Sequence, residues 1–401
     1  MNKNIFLFRH IIFLLILCFI PAINNAQPES STIKYKAIDI SGFMDSAHHW
    51  YDIYGDDKVI TALPNKPRYK PEEITEIADN ILLFQKVNGG WPKNYDMLAI
   101  LTDKQKEAVK KSVKDTSTTT FDNGTTHSQV EYLSKVYTAT HDEKYKTGCL
   151  KGIDFILSAQ YSNGGWPQFY PNKAGYSKFI TFNDDAMMGI MEVLQHILKN
   201  NPEYSFVDNT HREKIQVAFN KGLDCILRCQ IKENGILYSW CQQHDNVNFR
   251  PRWGRAFEPP SICNGESAEI VKLLMSLDNP SLEIIRSIQG AVKWFNNSKI
   301  LGIKVKVISA PTLVYKWRTS STDRIVENDP NAPPIWTRFY ELKTHTPMFC
   351  TRDSKTVYSL ADVERERRDG YGWYTYAPQE VLDIYPEWQK KWAPDQNILS
   401  K

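Results

Sequence analysis

The sequence predicts an all-α protein: a toroid of three helical hairpins, with long loops on one rim and an irregular C-terminal segment packed over it. Three observations predict it. The first is a segment that recurs about every 70–75 residues. It reads Ile81-Leu-Leu-Phe-Gln85-Lys-Val-Asn88-Gly-Gly-Trp91-Pro92, then Phe155-Ile-Leu-Ser-Ala-Gln160-Tyr-Ser-Asn163-Gly-Gly-Trp166-Pro167, and more weakly Cys225-Ile-Leu-Arg-Cys-Gln230, running through Asn234-Gly235 to Trp240. The second is apolar residues at helical spacing around each Gln's approach: Ile74, Ile77, Ala78 and Ile81; Cys149, Ile153, Ile156 and Leu157; and, more loosely, Val217, Ala218 and Leu223. The third is a polar cluster that opens a second helix after each turn: Phe121-Asp-Asn-Gly-Thr125, Phe182-Asn-Asp-Asp-Ala186 and Asn264-Gly-Glu-Ser267.

Each unit is therefore helix, long loop, helix, and the link to the next unit is short, as between Tyr137 and Tyr145. One such hairpin cannot bury its apolar face alone, so several must associate. Three closed side by side make a six-helix ring; an open solenoid is the alternative, and it would need caps at both ends. In the ring all long loops share one rim, the place where function concentrates on a rigid scaffold. That rim collects Trp91, Lys93, Asp122, Trp166, Asp184 and Asp185, together with Arg250, Arg255 and Glu266. A further helix is expected over 282–296, and the alternation over 303–308 reads as a strand. The aromatic, basic stretch 335–376 is expected to fold back over the ring.

Residues 1–26 read as a secretory signal: Lys3 and Arg9, an apolar run over 11–20, and small residues ending at Ala26. The run is too short to span a bilayer, and Leu17 is larger than a lipoprotein site before Cys18 usually allows. Export to the periplasm or the exterior is expected. An N-terminal extension follows over 27–70, and a single catalytic domain over 71–395, expected to be a monomer. The net charge of +3 gives no sign of nucleic-acid binding, but the arginines are uneven, and clustered guanidinium groups point to an anionic ligand. Six cysteines remain after cleavage. Cys225 and Cys229 lie one helical turn apart and share a face, and no cysteine chemistry is expected.

Asp122, Asp184, Asp185 and Glu266 all stand at helix starts, and each alone is well explained as a helix cap. Together on one rim they repel one another unless a cation is present. An oxygen-only set with no His or Cys favours Ca²⁺ or Mg²⁺, with Asp122, Asp184 and Asp185 as the metal candidates. Trp166 and Trp91, each directly after Gly-Gly in a loop, are expected to offer faces to sugar rings. Lys93 is expected to line the groove. Export, aromatic faces, clustered Arg and a hard-cation site converge on an acidic polysaccharide, since Arg grips carboxylates bidentately. His127 and the adjacent pair His244-Asp245 are weaker candidates.

These residues carry a resemblance. Phe121-Asp-Asn-Gly-Thr-Thr126, Asn163-Gly-Gly-Trp-Pro-Gln168, Ile180-Thr-Phe-Asn-Asp-Asp-Ala186, Trp240-Cys-Gln-Gln-His-Asp245, Arg255-Ala-Phe-Glu-Pro-Pro-Ser261, Gly265-Glu-Ser267, Arg338-Phe-Tyr-Glu341 and Arg365-Glu-Arg-Arg-Asp-Gly-Tyr-Gly-Trp-Tyr374 are similar to the pectate lyases of polysaccharide lyase family 10 over about residues 70–376. The resemblance implies an (α/α)₃ toroid and Ca²⁺-dependent cleavage of polygalacturonate by β-elimination with an arginine base. It implies that Arg255 is that base, that Asp122 and Asp184 lie near calcium and substrate, and that Arg338, Arg352 and Arg367 hold uronate carboxylates. The stretch Phe249-Arg-Pro-Arg-Trp-Gly254 is unusually basic; a slip of the loop would put Arg252 or Arg250 in the place of Arg255.

A guanidinium is a poor base because its pKa exceeds 12. Neighbouring Arg and Ca²⁺ are expected to lower that pKa, with the rate still rising above about pH 8. Three other readings remain at this level: a glycoside hydrolase using Asp122 and Asp184 as its carboxylate pair, a non-catalytic acidic-glycan binder, and a terpene cyclase, against which the leader and the Arg-rich rim argue.

Overall fold

The computed structural model describes residues 35–54, 58–171 and 174–399; the expected leader and residues 27–34 of the extension lie outside them. Eleven α-helices are described: α1 (Met44–Asp52), α2 (Ile74–Phe84), α3 (Asp103–Ser112), α4 (His127–Thr140), α5 (Glu143–Ala159), α6 (Ala186–Leu198), α7 (Asn209–Cys229), α8 (Asn264–Met275), α9 (Leu282–Ser298), α10 (Arg365–Gly370) and α11 (Ala377–Trp392). The three expected units are α2 with α4, α5 with α6, and α7 with α8. The second helices α4, α6 and α8 pack in series, with α8 against α11, while α2, α5 and α7 pack in series along a second layer. Among the described residues no helix is long and apolar enough to cross a membrane.

The repeated Gln, Gly and Trp each have a mechanical role. Gln85 Nε2 donates to Gly89 O in its own turn (2.9 Å) and to Gly148 O in α5 (2.9 Å). Gln160 repeats this toward Gly164 O (3.0 Å) and Ala218 O in α7 (2.8 Å), and Gln230 toward Tyr238 O (2.7 Å) and Ser287 O in α9 (2.9 Å). One amide thus closes a turn and ties its unit to the next. In the first two units the following Gly packs backbone to backbone: at Gly164 (φ +93°) an added Cβ would lie 2.0 Å from Lys221 O. Each Trp then folds back over the helix it follows. The indole N–H of Trp91 donates to Ile81 O (2.7 Å), that of Trp166 to Ile156 O (2.9 Å) and that of Trp240 to Ile226 O (2.7 Å). All three acceptors lie in the last helical turn, where carbonyls have no intrahelical partner.

A fourth, degenerate unit follows the same rule. Trp336 Nε1 donates to Phe295 O in the last turn of α9 (2.9 Å), and α9 packs on α11. Its sequence signal is hidden because 41 residues separate donor from acceptor. Replacing Gln160 with Ala strands the Gly164 carbonyl and removes the tie to α7 at Ala218 O. It is expected to lower unfolding free energy by about 1–3 kcal/mol, read as a lower midpoint in thermal or urea unfolding.

The all-α expectation is overturned, because the structure is 46% helical and 15% strand. The alternation seen over 303–308 belongs to a long antiparallel hairpin of Ile303–Val314 and Thr319–Asn328. A four-stranded antiparallel sheet runs in the order 356–357, 347–350, 339–340, 262–263. Two-residue strands pair Ile180–Thr181 with Gln243–His244 and Trp336–Thr337 with Tyr374–Thr375. For most of the short pairs the physical reason is that their loops are buried, and buried backbone N–H and C=O groups must find partners; the long hairpin is largely exposed and is held by pairing of its own two strands. Segments too short to show a period-2 pattern pair as strands all the same.

Candidate active site

Two tight turns from adjacent units build the floor of the site. Asp122–Gly124 precedes α4 and Asn183–Asp185 precedes α6. In each, the second residue is left-handed: Asn123 at φ 54° and Asp184 at φ 50°. Non-glycine residues held in this region mark places where structure overrides local preference, often at functional sites. The two turns pack on one another and bring Asp122 and Asp184 together, although 62 positions separate them in sequence.

Asp122 is buried; it accepts from Lys93 Nζ (2.5 Å) and Gln168 Nε2 (2.8 Å). Burial opposes its charge, but Lys93, Gln168 and Arg255 together hold its pKa below the ordinary value. Asp184 responds in the opposite way. Removal from water, then the nearby Asp122, push its pKa up to about 7. Two carboxylates that repel each other in this manner are a fitting seat for a hard cation. Among the described residues no group of three or more His, Cys, Asp or Glu side chains is arranged to hold a metal by itself, so water or substrate would have to complete such a shell.

Above Asp184 opens a cleft of about 510 Å³, lined by Asp184, Arg255, Arg338, Arg352 and Arg367. Arg255 is fixed from behind by the buried Glu258. The carboxylate accepts from the Arg255 backbone N (2.7 Å), Nε (2.9 Å) and Nη2 (2.5 Å), and also from Tyr371 Oη (2.9 Å). Arg255 Nη2 lies 3.9 Å from Asp184 Oδ2. Arg338 donates to Asn183 Oδ1 (2.7 Å) and Glu266 Oε1 (2.5 Å) and lies over the Tyr371 ring. Arg352 grips Glu366 bidentately at 2.8 Å, and Arg367 shares that same carboxylate at 3.2 and 3.0 Å. Two guanidinium groups on one carboxylate leave a net positive charge facing the cleft. Phe257 supports three of these cations, its ring centre lying 5.1, 5.1 and 4.8 Å from Arg255, Arg352 and Arg367.

The electrostatics correct one expectation. Burial disfavours charge on Arg255, but Glu258 and Asp184 outweigh it and hold the guanidinium well above its ordinary pKa. Neighbouring arginines do not depress it. Arg367 is the cluster member whose pKa is lowered, by burial first and then by Arg352 and Arg255.

The remaining expected residues are placed as follows. Lys93 sits on Asp122. Asp185 turns away from Arg255 into a neighbouring cavity with Glu192 and Glu269, where burial and Glu269 push its pKa to about 6. Trp166 and Trp91 are fully buried and present no face to the cleft, because their indoles are committed to the helix ends described above. Arg252 points to Asp245 (3.7 Å), so the loop register puts Arg255, not Arg252, over Asp184. His244 is buried between the Cys241 N–H (3.0 Å) and Phe249 O (2.7 Å) and does not pair with Asp245. His127 is buried, and burial lowers its pKa to about 4. Cys225 and Cys229 both face the core.

Sequence reasoning missed Glu258, Glu366 and Tyr371 as supports of the guanidinium cluster. Glu258 had a readable signal: it lies three positions after Arg255, within reach across one turn.

The described architecture resembles two solved structures of the family 10 polysaccharide lyase from Cellvibrio cellulosa. One is an aspartate-to-alanine mutant in complex with trigalacturonic acid (29% identity, 78% of this chain and 92% of that chain, TM-score 0.66). The other is the enzyme alone (28% identity, 81% and 98%, TM-score 0.66). No curated protein matches the sequence significantly. The pectic acid lyase family matches residues 85–382, most of the chain, and the chain belongs to that family, as a pectate lyase of polysaccharide lyase family 10.

Proposed function

We propose that this chain cleaves α-1,4-polygalacturonate by β-elimination, with Arg255 as the base. One observation carries the reading most: Arg255 stands 3.9 Å from Asp184 in a cleft walled by Arg338, Arg352 and Arg367. That pairing of a carboxylate floor with a guanidinium wall fits an anionic sugar whose own carboxylate must be neutralised. Arg338 and the Arg352–Arg367 pair bind uronate carboxylates and fix the chain's register. Arg255 takes the proton from C5, the C5–H electrons form the C4–C5 double bond, and the C4–O bond breaks with its electrons on the leaving oxygen, which picks up a proton from water. Asp184 and Asp122 would hold Ca²⁺, which supplies charge stabilisation for the uronate carboxylate as negative charge builds beside it.

The high pKa of Arg255 sets the pH response. Its neutral form grows about tenfold per pH unit below that pKa, so the rate is expected to keep rising above about pH 8. At the other end, a proton on Asp184 competes with the cation, so apparent Ca²⁺ affinity weakens as pH falls below about 7. The test is formation of the ultraviolet-absorbing 4,5-unsaturated product from polygalacturonate, with and without EDTA. The expected result is product that stops with chelator and returns with added Ca²⁺. Reducing ends formed without that chromophore would show hydrolysis and sink the reading.

A further inference from the structure

We propose that α1 and the tip of the 303–328 hairpin join to wall off the cleft, so that the enzyme acts on chain ends and short oligomers in preference to internal bonds of long chains. This rests on the lyase reading above and goes beyond it to the length of chain accepted.

The cleft that holds Arg255 is not bounded by family residues alone. His49 of α1 and Ile53 just past its end line it, and so do Trp317 and Arg318 at the hairpin tip. The segment leaving α1 touches the hairpin tip. The Tyr54 N–H donates to Trp317 O (2.7 Å), and Tyr54 Oη lies 3.1 Å from Thr319 Oγ1. A polymer cleaved in its middle must leave the groove at both ends, and a hydrogen-bonded bridge between the walls obstructs such an exit.

Both walls are braced, so the bridge is not a loose contact. Ser46 of α1 donates to Tyr95 O (3.0 Å) and accepts from the N–H groups of Asn94 and Tyr95 (3.0 and 3.2 Å). Trp50 Nε1 donates to Ile60 O (2.8 Å). At the tip, the Tyr315 N–H donates to Arg318 O (2.8 Å) and closes the turn, while Arg318 pairs with the buried Asp369. The α1 half of the bridge precedes residue 85, where the family match begins, so it is an addition to the part of the chain that the family match covers.

The experiment compares trigalacturonate with long polygalacturonate in the presence of Ca²⁺, following bond cleavage, product length and viscosity together. The wild type is expected to release short products from the earliest times and to lower viscosity slowly per bond broken. Tyr54→Pro removes both the donor N–H and the hydroxyl; it should shift products toward longer fragments and lower viscosity several-fold faster per bond, with trimer cleavage little changed. Tyr54→Phe keeps the N–H and should stay near wild type. If Tyr54→Pro fails to fold, Trp317→Ala, which lowers the wall from the other side, decides in its place. Long fragments from the wild type at the outset, or product patterns unchanged in the folded variants, would overturn the inference. If no substrate yields unsaturated product, the lyase reading fails instead. Binding then decides the wall: Tyr54→Pro must bind long polygalacturonate several-fold tighter than the wild type while trimer affinity holds.

Discussion

Replacing Arg255 with alanine is expected to cut turnover of polygalacturonate by about 10²–10⁴-fold, the range a positioned general base supplies, while the protein still binds the substrate. The argument is geometric. Among the described residues, Arg255 Nη1 has no hydrogen-bond partner, whereas Nε and Nη2 are held by Glu258. Glu258 therefore aims the guanidinium without consuming its outer edge. Arg338 is committed to Glu266, and Arg352 and Arg367 share Glu366, so none of the three is free to swing into its place. Arg255→Lys keeps a positive charge but loses the planar fork and the bidentate grip on Glu258, and should fall nearly as far. Binding of trigalacturonate by isothermal titration, set beside the turnover measurement, separates the two effects. A variant that loses binding and turnover in equal measure would assign Arg255 to substrate binding and remove it as the base.

The sequence made the convergence of residues in the cleft more legible than the fold class. Gln85, Gln160 and Gln230 marked real units because one residue type does the same mechanical work in each. Asp122 and Asp184 converge because they occupy equivalent turns in adjacent units, a consequence of repetition that spacing alone can reveal. The strands of the C-terminal third were mostly invisible. Pairs such as Phe339–Tyr340 are too short to carry a period, and their pairing is imposed by burial of loops that have no other donors. The tryptophans misled for a related reason. A Trp after Gly-Gly reads as a loop tip, but the turn is so tight that the indole is carried back over the preceding helix, where a free carbonyl awaits it. The spacing of Glu258 from Arg255 was readable, but acidic residues beside arginines, Glu366 among them, look like ordinary surface pairs. Only burial separates them from such pairs: Glu258 is 3% exposed, and at that depth its charge must have a partner.

That burial makes Glu258 the second residue where a large effect is expected. Its carboxylate accepts three hydrogen bonds from Arg255 and one from Tyr371, and these overcome the burial that would raise its pKa, so it stays ionised. Glu258→Ala leaves the Arg255 charge facing Asp184 alone and strands the Tyr371 hydroxyl. Arg255 lines the open cleft, so losing the pair costs less than the loss of a fully buried one, about 1–3 kcal/mol, expected as a lower unfolding midpoint. Misplacing the base by an ångström costs about 10²-fold in rate. Glu258→Gln separates charge from position, since it retains an acceptor for Arg255 Nε but removes the anion that most favours the guanidinium. Without that anion the neutral form of Arg255 appears at lower pH. The rising limb of the rate profile should therefore move toward neutrality in Glu258→Gln, even as the maximal rate declines. A profile that keeps its wild-type shape while both variants merely lose stability would reduce Glu258 to packing, and would take with it the claim that the pair sets the basicity of Arg255.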